Sequence, residues 1–192
     1  MFRLLLLFTG ILSDPHNISP TIDPSSDLIS KKMFEAKQFC RTNGYDTTTC
    51  FLLDLSIHNG RKRFFVCDIQ RSQIMNSGLV THGHCGTPYL SNVLYSNQPG
   101  CGCSSAGKYK VGNFYKGRFG DAYKLHGLDA SNSNAYSRFI VLHSHSCVPD
   151  TEIYPNQICN SEGCTTVSPA FLKELERIIS SRKRPILLWV IQ

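Results

Sequence analysis

Charged residues are scarce in this chain, at 18% of its 192 residues, and other absences narrow its class further. With 41% hydrophobic residues, 14 glycines and 9 prolines, the composition is that of a loop-rich globular protein and gives no case for general disorder. There is no internal repeat, and no low-complexity segment beyond Ser131–Ser133. The one strongly apolar run, Met1 to Leu12, is too short to cross a bilayer as a helix, so no stable membrane span is expected. Structural zinc sites pair Cys-x2-Cys or His-x3-His, spacings absent from His82-Gly83-His84-Cys85 and from His143, His145 and Cys147. Neither metal nor cofactor is therefore expected. The basic clusters Arg61-Lys62-Arg63 and Arg182-Lys183-Arg184 have no aromatic residues interleaved, and are read as solvated turn ends. No nucleic-acid partner is expected.

A net charge of +6 suits an anionic polymer, be it nucleic acid, an acidic membrane surface or a cell-wall glycopeptide, without choosing among them. Arg3 followed by Leu4–Phe8 and Ile11-Leu12 has the outline of an export signal, here assigned residues 1–13. Residues 14–26, with Pro15, Pro20 and Pro24 among polar residues, form a linker, and 27–192 is long enough for one domain with a proper core. An exported protein facing the periplasm or cell wall, acting as a monomer, is the expectation. Nine cysteines fit that compartment, and their odd number leaves at least one unpaired in a monomer. A Cys147–Cys159 bridge is expected to stiffen the loop between His143 and Cys164.

From Asp27, apolar Ile29, Met33, Ala36 and Cys40 recur at helical steps, with Ser26 as N-cap and Gly44 as stop. Two β-rich runs, Thr48–Leu55 and Arg63–Ile69, flank Asn59-Gly60 as a hairpin. Further short strands are predicted at 78–81, 107–111, 122–125, 138–142 and 186–191. Ser168-Pro169 opens a second helix whose apolar stripe runs from Phe171 through Leu175 to Ile179, and Pro185 blocks its continuation. The fold class is mainly β with a few helices (α+β).

The chain's most informative stretch is Ser161-Glu162-Gly163-Cys164, downstream of His143 at the end of the apolar run Phe139–Leu142. A thiol needs a base to take its proton, and a glycine turn leaves N–H groups free to face an oxyanion. Taken alone, Cys164 is as well read as half of a disulfide, and His143 as a buried strand-end histidine. His145 is the second candidate base, and Ser104-Ser105 is equally a turn. Arg138 suits either a substrate carboxylate or a pairing with Asp129 or Asp121. Cys101-Gly102-Cys103 is a loop whose thiols bond elsewhere.

The ordered series is more specific than any single motif. Thr81-His82-Gly83, Tyr95-Ser96-Asn97, Ser104–Tyr109, Leu125–Asp129, Asn132–Ala135, Arg138–His143 and Ser161–Cys164 together resemble the murein L,D-transpeptidase catalytic-domain family, the YkuD-like group. Leu53–Ser56 and Arg63–Asp68 are similar to that family's opening hairpin, so the likeness covers about residues 48 to 192. It implies a twisted, sandwich- or barrel-like sheet, with an N-terminal helix and a helix after the nucleophile. It also implies Cys164 as nucleophile, His143 as general base held by a backbone carbonyl near Ser144, and the N–H groups of Gly163 and Cys164 as oxyanion hole. Ser161, His82, Ser105 and Arg138 are the implied substrate contacts, and peptidoglycan stem peptides the substrate. Two departures stand out: Glu162 where relatives carry His, and Thr165 where the subgroup often carries Pro. Two rival readings are an L,D-carboxypeptidase using water as acceptor, and a catalytically silent, disulfide-stapled wall-binding module.

Overall fold

A computed structural model of the chain describes residues 24–192. The export-signal assignment and all but the last three residues of the expected linker lie outside them. Those three residues, 24–26, belong to the first helix, α1 (Pro24–Asn43), so Ser26 falls within its first turn instead of capping it. The stripe Ile29, Met33, Ala36 and Cys40 is buried as the spacing requires. Gly44, at φ +75°, ends the helix in the left-handed conformation that glycine adopts most readily.

β1 (Thr49–Asp54) is buried at all six positions, so both of its faces are covered. Because side chains alternate along a strand, Phe51 and Leu53 enter the main core while Cys50 and Leu52 face α1. β2 (Phe64–Asp68) and β3 (Gln73–Gly78) follow antiparallel. β4 (Gly107–Gly117) and β5 (Gly120–Gly127) form a hairpin. They are succeeded by β6 (Val141–Ser144), β7 (Thr165–Val167), α2 (Pro169–Ser180) and β8 (Leu187–Ile191). The sheet order is β3-β2-β1-β8-β4-β5-β6-β7, with the C-terminal strand inserted parallel to β1 at the centre. Val80 bridges to Val167, and the Thr81 N–H donates to Thr166 O at 2.9 Å. These contacts tie the chain leaving β3 to β7 at the opposite end of the sheet, giving the barrel-like closure the resemblance implies. Ser168 Oγ caps α2 by accepting from the Phe171 N–H, and Phe171, Leu172 and Leu175 fill the main core.

Several expected elements shift. The segment 78–81 is the bridging segment just described, and the true strand is β3 before it, whose Ile74 and Met75 are exposed. β6 starts at Val141, not at 138, because Phe139 turns the chain at φ +59°. Asn59-Gly60 sits inside a longer loop, with Asn59 buried and donating to Ile158 O at 3.3 Å. Arg63 overturns the reading of its cluster as a solvated turn end, since only 1% of it is exposed. Its guanidinium donates to the carbonyls of Val80, Leu55 and Ile57 and to His82 Nδ1 at 2.9 Å. Carbonyl partners allow a charge to be buried where no carboxylate bonds it directly.

His82 makes acid sensitivity predictable. Burial, then the Arg63 charge, pushes its pKa down to about 4. An unfolded histidine titrates near 6.5, so between those values the unfolded chain binds the extra proton. Stability is full well above pH 6.5 and is lost as pH falls, by roughly 1.5 kcal/mol between 6.5 and 5. Urea unfolding at those two pH values measures the loss. An unchanged midpoint contradicts the assignment.

Candidate active site

The turn before β7 is built from its own hydrogen bonds. Ser161 Oγ accepts from the Gly163 N–H at 3.2 Å and donates to Cys164 O at 2.8 Å. The Ser161 N–H donates to His82 O, and the His84 N–H to Ser161 O, each at 2.9 Å, so the turn is stitched to the segment after β3. Gly163 has φ +99°, and a Cβ there would lie 2.4 Å from Cys103 O. Only glycine fits so close a backbone approach. The turn leaves Cys164 half-buried, its thiol donating to Phe139 O at 3.6 Å.

Burial is the main cause that raises the Cys164 pKa. The Val141 N–H and Arg138 oppose it, and Glu162 adds the smallest contribution. The thiol is therefore protonated at neutral pH.

His143 lies on β6 directly opposite Thr166 in the parallel β6–β7 ladder. Its Nδ1 is 3.1 Å from Ser144 O. A carbonyl can only accept, so Nδ1 carries the proton and Nε2 keeps its lone pair, which takes the Thr166 hydroxyl at 3.0 Å. Burial, reinforced by His145 and opposed by the Ser144 carbonyl, lowers the pKa of His143, which is neutral at pH 7. Phe119 stacks on its ring with centroids 5.2 Å apart. His143, Cys164, Thr166, Glu162, His84 and Phe119 line one cleft of about 380 Å³.

Thr166 is the residue that sequence reasoning missed. Its signal was its place two residues beyond Cys164 in a β-rich run, which puts both side chains on one face of the chain.

The other expected site residues are placed as follows. Ser161 lines the cleft but spends its hydroxyl within the turn. His82 is fully buried between Arg63 and Leu90 O, and Ser105 is 2% exposed, so neither reaches a molecule in the cleft. Arg138 pairs with neither Asp129 nor Asp121. Its guanidinium donates to Ser96 O at 2.8 Å, Cys103 O at 2.6 Å and Ser105 Oγ. His82 and Ser105 are thus buried away from the cleft, and the Arg138 guanidinium is bonded to the loop that carries Ser96, Cys103 and Ser105. His145 accepts from the Cys147 N–H and meets Phe119 edge-on. Glu162 reaches His84 Nε2 at 2.8 Å across the cleft mouth. Cys147 and Cys159 are bridged, as expected from the sequence, and form part of the cleft wall. A second bridge joins Cys85 to Cys103, and of the five cysteines left free Cys101 and Cys164 are not buried.

A thiol and a neutral imidazole of fixed tautomer, opening on one cleft, are the parts of a cysteine acyl-transfer site. Residues 24–188 match the model of the L,D-transpeptidase catalytic domain. The chain belongs to that family. It is therefore a YkuD-type L,D-transpeptidase catalytic domain. Among solved structures it is similar to the helical cell shape determining protein Pgp2 from Campylobacter jejuni. A single-residue mutant of Pgp2 aligns at TM-score 0.48 and 9% identity, covering 89% of this chain and 57% of Pgp2. The unmutated Pgp2 aligns at TM-score 0.41 and 8% identity, covering 87% and 55%. The chain thus spans little more than half the length of Pgp2. No curated protein matches it. No helix among the described residues is long and apolar enough to cross a membrane.

Proposed function

We propose that this L,D-transpeptidase-family domain is an exported cysteine acyltransferase acting on peptidoglycan stem peptides. The observation that carries this reading is the shared cleft of Cys164 and His143, with the His143 tautomer set by Ser144 O. Nε2 is the free base of that tautomer, and the Thr166 hydroxyl holds it until the thiol turns from Phe139 O toward it. His143 takes the thiol proton as sulfur attacks the stem carbonyl. The N–H groups of Gly163 and Cys164 face the oxyanion, for which the Gly163 N–H exchanges its Ser161 partner. The C–N bond then breaks, and His143 returns the proton to the departing D-Ala amine. An acceptor amine attacks the thioester, loses its proton to His143, and regenerates the thiol.

Phe119 and Phe139 stand exposed beside the cleft as apolar walls for a stem peptide. Glu162 offers a carboxylate at the rim, where a cationic amine enters. Two disulfides suit an oxidising compartment, which agrees with export to the periplasm or the wall-facing side.

Incubation with a disaccharide-tetrapeptide, followed by mass analysis, tests the reading. Crosslinked dimers are expected, and they disappear in Cys164→Ala. Tripeptides alone mean that water is the acceptor, and products unchanged by Cys164→Ala overturn the cysteine mechanism.

The pKa shifts fix the pH profile. Activity needs neutral His143, whose pKa is lowered, so kcat/KM falls with acid only at a midpoint below 6.5. Alkylation of Cys164 rises toward a midpoint above 9.0. An acid limb above 6.5 contradicts the assignment of His143.

A further inference from the structure

Five cysteines are free, and Cys40, Cys50 and Cys67 lie in the core. The two that reach solvent, Cys101 and Cys164, have opposite surroundings. Cys164 donates its thiol hydrogen to a carbonyl. Cys101 Sγ instead receives donors: Arg138 Nη2 at 3.3 Å and the Cys103 N–H at 3.3 Å. The guanidinium is held against this sulfur because Nη2 also donates to Cys103 O, while Nη1 donates to Ser96 O and Ser105 Oγ. A fixed cation and an amide N–H facing a sulfur both favour its thiolate form. Burial raises the Cys101 pKa, but the Cys103 N–H, the Ser96 hydroxyl and the Arg138 charge together bring it below its ordinary value.

This sulfur also lies next to a disulfide. Cys85 is bridged to Cys103, and its N–H donates to Gly102 O at 3.1 Å. Gly102 is the residue between Cys101 and Cys103, so Cys85 is anchored midway between two possible partners.

We propose that Cys101 is a second reactive thiolate and the exchange partner of the Cys85–Cys103 bridge. Cys101 Sγ attacks Cys85 Sγ, the Cys85–Cys101 bond forms as the Cys85–Cys103 bond breaks, and Cys103 leaves as thiolate. One bond replaces another, and no external oxidant or reductant is consumed. Because Cys103 O abuts Gly163, the exchange takes place against the turn that carries Cys164.

The test uses two measurements on purified, oxidised full-length protein. Limiting iodoacetamide at pH 6.5, followed by peptide mass mapping of the wild type, should label Cys101 about tenfold faster than Cys164. Equal rates, or Cys164 first, overturn the proposal. Cys103→Ser then asks whether Cys85 finds the alternative partner. Thiol titration in denaturant without reductant should give one thiol fewer than the wild-type five, with a Cys85–Cys101 peptide present. One thiol more than five means that both were left free, and overturns the exchange. Where Cys103→Ser does not fold, the wild-type labelling order still decides.

Discussion

His143→Ala lowers kcat/KM by about a thousandfold, Cys164→Ala lowers it at least as far, and the double variant loses no more than the worse single one. The first part follows from the resting state. With the thiol pKa raised by burial and the imidazole pKa lowered by burial, both groups are neutral at pH 7, so no preformed thiolate waits in the cleft. Proton transfer must accompany attack, and positioned general bases typically contribute about 10²–10⁴. The second part follows because nucleophile and base act as one unit, and removing either leaves only binding and the oxyanion donors. Steady-state kinetics of the three variants checks it, with thermal unfolding to confirm that each is folded. Independent, multiplying losses contradict the pairing.

Gly163→Ala is expected to lower kcat/KM by about a hundredfold and to cost stability as well. The new Cβ meets Cys103 O, a backbone atom that cannot swing away as a side-chain end does. At φ +99° an L side chain is strained even without that contact, by about 1–2 kcal/mol. Relief comes from shifting the turn, and the turn carries both the sulfur and the oxyanion donors. Displacing such a constellation by about 1 Å costs on the order of 10² in rate. Gly44→Ala is the control, since Gly44 also has positive φ but nothing within 4 Å of its Cβ. It should lower the unfolding temperature while leaving kcat/KM intact. Equal kinetic effects from the two substitutions contradict the account of Gly163.

What was legible in the sequence follows the strength of the local signal. The helical steps from Ile29 to Cys40 and the Ser168-Pro169 cap survive intact, because an amphipathic stripe and a capped start need no long-range information. β1, β2, β4, β5 and β8 were found from their β-branched and aromatic runs. β3 was not, since as the strand at one end of the sheet order it exposes Ile74 and Met75 and lacks alternation. β7 was missed because three residues carry no period. Arg63 looked like surface charge until the carbonyls of Leu55, Ile57 and Val80 converged on it, a convergence only the folded chain creates. The same holds within the cleft. Cys164, His143 and the Ser144 carbonyl came from motif order, whereas Thr166 depended on the β6–β7 register. His82 and Ser105 belong to the motif series yet are buried away from the cleft, since a motif marks position in the chain and not the direction of a side chain.

The most direct test of the central claim is the mass of the protein itself after brief mixing with a tetrapeptide-stem donor at pH 7, without an acceptor. Intact-protein and peptide mass spectrometry should show one adduct equal to the donor less its terminal D-Ala. It should lie on the peptide carrying Cys164, be released by hydroxylamine as a thioester is, and be absent from Cys164→Ala. An adduct on another residue, or substrate turned over with Cys164 replaced, would contradict the assignment of Cys164 as the nucleophile.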